Sequence, residues 1–119
     1  MNTIKVTKLF DNPVLLAPEK GEELCKKIKA GLKKFDTVKV DFAGYEFLSS
    51  AFLNRAFGQL CIDLDLSAQA FNKKVKILNM TEDDTDDLAL AIDNAQFRRK
   101  LIKQGVTDIG EYFASRLPA

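Results

Sequence analysis

The chain has 119 residues, a net charge of +1 and no histidine. That length suits one domain over 1–119 whose core needs no metal or disulfide staple, and an apolar fraction of 46% beside 29% charged residues is that of an ordinary soluble globule. The near-neutral balance gives no global reason to bind nucleic acid or a membrane surface, and the missing imidazole excludes histidine-based triads and His-bearing zinc sites.

No apolar run approaches a membrane span, and MNTIKVTKLF lacks the apolar core of a signal peptide, so the expected location is the cytoplasm. From residue 3 to residue 9, Ile4 and Val6 alternate with Lys5 and Thr7, which predicts a first strand. Asp11 to Pro13 reads as a turn, and Val14 to Leu16 fits either a brief second strand or an apolar loop laid on the sheet. Pro18 suits the first turn of a helix that carries Leu24, Cys25, Ile28, Leu32 and Phe35 as its buried stripe. Six lysines against three glutamates leave that helix about +3 on its solvent side, enough for a solvated face or for meeting an acidic partner.

The stretch from Thr37 to Leu60 carries the most information. Val38, Val40 and Phe42 alternate with Lys39 and Asp41 as in a strand with one apolar face, Gly44 breaks the pattern, and Ser49 or Ser50 stands where a helix N-cap belongs. Phe52, Leu53, Ala56, Phe57, Leu60 and Cys61 then recur at helical spacing. A helix start presents unpaired N–H groups and a partial positive charge, which suit an anion or a phosphoryl group. Capping alone is the ordinary reason for a serine there.

Residues 65–72 read as a polar connection and 73–80 as another strand, with Val75 and Ile77 on one face. Thr81 and Asp84 have capping-box spacing, and the five acidic residues of TEDDTDD fall in the first turns of a helix that carries Leu88, Ala91, Ile92, Ala95 and then Leu101 or Ile102 inward. A calcium loop of the EF-hand kind needs a turn glycine and a closing glutamate that TEDDTDD lacks, so dipole-compensating capping is the preferred reading and no metal is expected. Gly105 ends this helix. A last amphipathic helix is predicted from Thr107, with Ile109, Tyr112, Phe113 and Leu117 near one side; it packs on its own domain, on a second copy or on another partner. Cys25 and Cys61, each on an apolar helix face with no CxxC spacing, read as buried free thiols.

Alternating strands and helices argue for an α/β domain with parallel crossover units, here a mostly parallel or mixed sheet of four to five strands. Lys39 and Asp41 on one strand, and Lys74 and Lys76 on the later one, place the helices chiefly on one face.

The segment VKVDFAGYEFLSSAF resembles the central motif of STAS domains, the fold of bacterial anti-sigma factor antagonists, in which a strand ending in Asp leads through a hydrophobic turn to a serine that opens a helix. It is closer still to the STAS-like domains of unassigned function. The resemblance places Ser50 on the serine that antagonists have phosphorylated and Asp41 on the aspartate ending the preceding strand. The chain departs from the antagonist pattern at Ser49, where an acidic residue is usual, and at Phe52, where a glycine is usual. What the resemblance implies is a regulatory protein-interaction module rather than an enzyme, with Ser50 as candidate phosphoacceptor. Its expected partner is an ATPase-domain anti-sigma factor or a histidine-kinase-like protein, without cofactor, nucleic acid or membrane, and with a homodimer left open. Asp41, Ser49 and Asn54 lie at the strand end or in the first helical turns and are the candidates for orienting the Ser50 hydroxyl or forming an anion site; Lys39, Tyr45 and Arg55 are candidates for the rim. The alternative is a small nucleotide- or anion-binding protein using the same helix N-terminus, although no P-loop and no GxGxxG supports it.

Overall fold

A computed structural model describes residues 2–105. The predicted final helix over 107–117 lies outside the described residues. Strand β1 (Thr3–Lys5) is followed by a short helix α1 (Val6–Phe10), strand β2 (Val14–Leu15) and helix α2 (Pro18–Leu32). Strands β3 (Val38–Asp41) and β4 (Phe47–Leu48) precede helix α3 (Ser50–Leu53), which runs through a π-helical turn (Asn54–Gly58) into α4 (Gln59–Asp63). Helix α5 (Ala68–Lys74), strand β5 (Val75–Leu78) and the long helix α6 (Glu82–Lys103) complete the described chain.

The five strands are all paired in parallel, as the crossover reasoning requires, but they divide into two small sheets instead of one. The larger has the order β1-β3-β5, with Ile4, Val40 and Ile77 in register, and the smaller pairs β2 with β4. Val38, Val40 and Val75 are buried while Lys39 and Lys76 on the opposite face are exposed, so the helices cover the larger sheet from one side. On that side Phe52, Leu53, Ala56, Phe57, Leu60 and Cys61 are all fully buried, which matches the helical spacing read from the sequence. Phe42, Phe57 and Phe71 form a chain of rings with centroids 6.2 and 5.9 Å apart, joining the residue after β3 to the π turn and α5.

Three local readings change and one open alternative is decided. The predicted strand at residues 3–9 stops at Lys5, because Val6, Leu9 and Phe10 also satisfy helical spacing; Val6 is buried in α1, and Phe10 meets Phe52 edge-on at 6.4 Å. Val14–Leu15 resolves as a strand. The polar connection at 65–72 is in large part helix α5: the Ser67 hydroxyl accepts from the Ala70 N–H at 3.1 Å as its N-cap, and Phe71 alone supplies a buried side chain. Phe35 is not part of the α2 stripe. The helix ends at Leu32, the Lys34 and Phe35 N–H groups both return to the Gly31 carbonyl, and the ring is 42% exposed.

Helix α6 behaves as read. The Thr81 hydroxyl caps it by accepting from the Asp84 N–H at 3.2 Å; Leu88, Ala91, Ile92, Ala95 and Leu101 are buried, and Ile102 is left exposed. Gly105 follows with φ +84°, the left-handed conformation that a glycine accepts at a helix end.

Candidate functional site

Both serines reach the surface because β4 delivers them there. The small β2–β4 sheet continues into a further bond, from the Ser49 N–H to the Leu15 carbonyl at 3.1 Å, which sets the start of α3 against the end of β2. Ser49 is the N-cap, with extended backbone (φ −113°, ψ 159°) and a hydroxyl that accepts from the Phe52 N–H at 3.0 Å. The same hydroxyl donates to the Leu16 carbonyl at 2.7 Å. Its proton and an acceptor position are thus both committed to the fold.

Ser50 is the first residue of α3 and is exposed. Its carbonyl receives the Asn54 N–H, but among the described residues its hydroxyl has no hydrogen-bond partner. The two adjacent serines therefore differ in chemistry: one holds the turn, and the other presents a free hydroxyl. Leu16, just after β2, and Phe47, on β4, are 51% and 63% exposed. These two large exposed apolar side chains lie on the segments that lead into and bond the serine pair. The alternation read from Val38 to Phe42 ends before Phe47, and the reading of Val14 to Leu16 as strand or apolar loop gave Leu16 no role at the site; a large apolar residue at each position was the available signal.

The other predicted residues go elsewhere. Asp41 closes the end of β3: one carboxylate oxygen accepts from the Ala43 N–H at 2.9 Å and from the Asn79 side-chain amide at 2.8 Å. These bonds, from Asn79 first and Ala43 second, hold its carboxyl below the usual aspartate range. Asn79 takes a left-handed backbone with φ 61°, a role that the sequence reading did not assign. Asn54 opens the π turn, and its side chain lines a small cleft with Gly58, Ala91 and Arg98 towards α6. Among the described residues no hydrogen bond links the side chain of Asp41 or Asn54 to either serine.

The three rim candidates are dispersed. Lys39 stands on the uncovered face of the larger sheet, Arg55 pairs with Glu22 of α2 at 3.5 Å, and the Tyr45 hydroxyl is engaged at the start of α6. Tyr45 donates to Asp84 at 2.6 Å and accepts from the Thr81 N–H at 3.0 Å, so it ties the turn after β3 to the α6 cap.

Gly21 decides how closely the serine-bearing helix lies to α2. A Cβ there would sit 2.6 Å from the Phe52 carbonyl oxygen and 2.8 Å from the Arg55 Cβ. Cys25 and Cys61 are buried and free, and burial pushes both thiols up to about 11. Among the described residues no three His, Cys, Asp or Glu side chains gather as a metal site requires, and no helix is long and apolar enough to cross a membrane.

Comparison with known proteins bears on the same segment. Residues 20–85 match the family model described as STAS-like domain of unknown function (DUF4325), a span that holds most of α2, β3, both serines, the π turn and β5. No curated protein and no solved structure matches the chain. The family model thus covers more than half of the sequence, including the strand ending in Asp41 and the serine pair opening a helix, and the chain belongs to the STAS-like domain family of unknown function.

Proposed function

We propose that the chain is a non-enzymatic regulatory interaction module whose docking surface is centred on Ser50 and switched by phosphorylation of that residue. The observation that carries this reading is the division of labour between the serines: Ser49 is locked by the Phe52 N–H and the Leu16 carbonyl, while Ser50 is exposed with no bond to its hydroxyl among the described residues, and Leu16 and Phe47 on the adjoining segments are exposed too. A kinase of the ATPase-domain type supplies ATP and the catalytic base. The Ser50 oxygen forms a bond to the γ-phosphorus, the bond to the β-phosphate oxygen breaks, ADP leaves, and the hydroxyl proton goes to the kinase base.

The product adds about −1.5 to −2 charges at the first position of a helix. Its own helix tolerates that charge, because the partial positive end of the dipole and the N–H groups of the first turn favour an anion. A partner packed on Leu16 and Phe47 does not, because the doubly charged group must be desolvated on docking. The switch therefore acts on binding and leaves the fold in place. A cytoplasmic setting, where such kinases find ATP, belongs to the same reading.

Intact-mass spectrometry of the protein isolated from its native cells, with wild type beside Ser50→Ala and Ser49→Ala, tests it. A phosphate present in wild type and in Ser49→Ala but lost in Ser50→Ala is the expected result. Absence of a phosphorylated species under every growth condition ends the switch; stoichiometric nucleotide binding by the unmodified chain would instead favour an anion-binding protein that uses the same helix start.

A further inference from the structure

A second surface lies on the larger sheet and uses neither serine, Leu16 nor Phe47. Among the described residues, strand β5 is the last strand in the order β1-β3-β5 and pairs only with β3. The Leu78 carbonyl accepts from the Phe42 N–H at 2.9 Å and so points at β3. By the alternation of a strand, the N–H and C=O of Ile77 point the other way, and among the described residues no backbone group meets them. Such an edge is a template for another strand.

The space beyond it is not flat. A groove of roughly 700 Å³ runs along the whole of β5 between the strand and α6. Its floor is made by Phe71 and Val75 on one side and Leu88 and Ile92 on the other, all buried. A strand laid in the groove would turn alternate side chains towards this apolar floor. The intervening side chains would face the uncovered side of the sheet, where Lys39 and Lys76 stand next to each other in register. Like charges side by side on a sheet repel. Lys76 is held by the Asn72 carbonyl at 2.7 Å, and among the described residues neither lysine has an acidic partner.

We propose that the open edge of β5 and its groove dock an extended segment of a partner protein that alternates apolar and acidic residues, added to the sheet as a fourth strand. Backbone bonds to Ile77 provide the attachment, the floor of Phe71, Leu88 and Ile92 takes the apolar side chains, and the Lys39–Lys76 pair selects carboxylates on the other face. Asp93, on the α6 side of the groove, keeps a second acidic row from that wall.

The probe is a blocked, fluorescent peptide of about six residues, a usual strand length, alternating valine and glutamate, compared with its valine–lysine counterpart by anisotropy against the full chain. The glutamate peptide should bind, and should slow hydrogen exchange at the Ile77 amide. The lysine peptide should bind about fivefold more weakly or worse, the scale of two exposed charge contacts reversed in sign. In the double variant Lys39→Glu, Lys76→Glu, both positions being exposed, the preference should invert. Equal binding of the two peptides, binding of neither, or binding without Ile77 protection would overturn the proposal. So would an Ile77 amide already protected in the free chain: light scattering would then assign the edge to a second copy if the chain is dimeric, and to residues 106–119 if it is monomeric.

Discussion

Replacing Gly21 with alanine should lower stability, against the usual sign for a glycine inside a helix. Gly21 lies in the first half of α2, and at an unconstrained helical site glycine-to-alanine stabilises by about 1 kcal/mol because it removes backbone entropy from the unfolded chain. Here the added Cβ would stand 2.6 Å from the Phe52 carbonyl oxygen, 2.8 Å from the Arg55 Cβ and 3.1 Å from the Ala56 N. Two of the three obstacles are backbone, so no rotamer change relieves them, and α2 must move away from the serine-bearing helix. Overpacking of this kind costs about 1–3 kcal/mol. With the steric term at its upper end against backbone, the net loss is roughly 1–2 kcal/mol after the propensity gain, a fall in Tm of about 4–8 °C for a chain of this size. The control is Gly58→Ala, where the new Cβ meets nothing nearer than the Ala91 carbonyl oxygen at 3.4 Å. That variant should be neutral or stabilised by up to about 1 kcal/mol. Thermal unfolding followed by far-ultraviolet circular dichroism reads both. A Gly21→Ala protein that melts above wild type would refute the close approach of α2 to Phe52 and with it the placement of the Ser50 surface.

Ser49→Ala should cost about 1–2 kcal/mol, because the Phe52 N–H loses its cap and the Leu16 carbonyl loses a donor, whereas Ser50→Ala should stay within about 0.5 kcal/mol of wild type in urea unfolding; equal effects would contradict the assigned roles. The Asp41 carboxyl, followed by NMR, should titrate below the ordinary aspartate range, and Asn79→Ala should move it back up. Since the folded state holds this proton less tightly than the unfolded chain, the contribution is present above the unfolded value of about 3.9. It is lost as pH falls through the lower folded value, and an acid-side stability profile unaltered by Asn79→Ala would count against the pairing. Cys25 and Cys61, with thiols raised to about 11, should resist a thiol reagent at mildly alkaline pH and react at once in denaturant. Fast labelling of the native chain would mean that one of them is neither buried nor protonated.

How much was legible follows from how local each signal is. The alternation of Val38, Val40 and Phe42 and the spacing of Phe52, Phe57 and Leu60 could be read directly, because burial of one face imposes its period on the residues that form it. Thr81 announced α6 for the same reason, since a cap and its N–H lie three residues apart. Val6–Phe10 satisfied both periods over too few residues to choose, and Ala68–Lys74 offered one buried side chain, Phe71, in a polar run; in both, tertiary contacts of Phe10 with Phe52 and of Phe71 with Phe57 decided for helix.

The candidate site divides along the same line. The amino-acid sequence by itself determined that an aspartate ends a strand, that two serines open a helix and that the assembly is α/β with parallel strands, because these depend on neighbours in the chain. Only the tertiary structure decided which serine is free. Ser49 and Ser50 are equally good caps by residue type, and the choice was made by the Leu16 carbonyl, 33 residues away, which takes the Ser49 proton. Distance in sequence likewise hid the Asn79 amide that occupies Asp41, the α6 cleft that receives Asn54, and the division of the strands into two sheets. Each is a meeting of groups far apart along the chain, and no period or spacing in a single segment records which groups will meet.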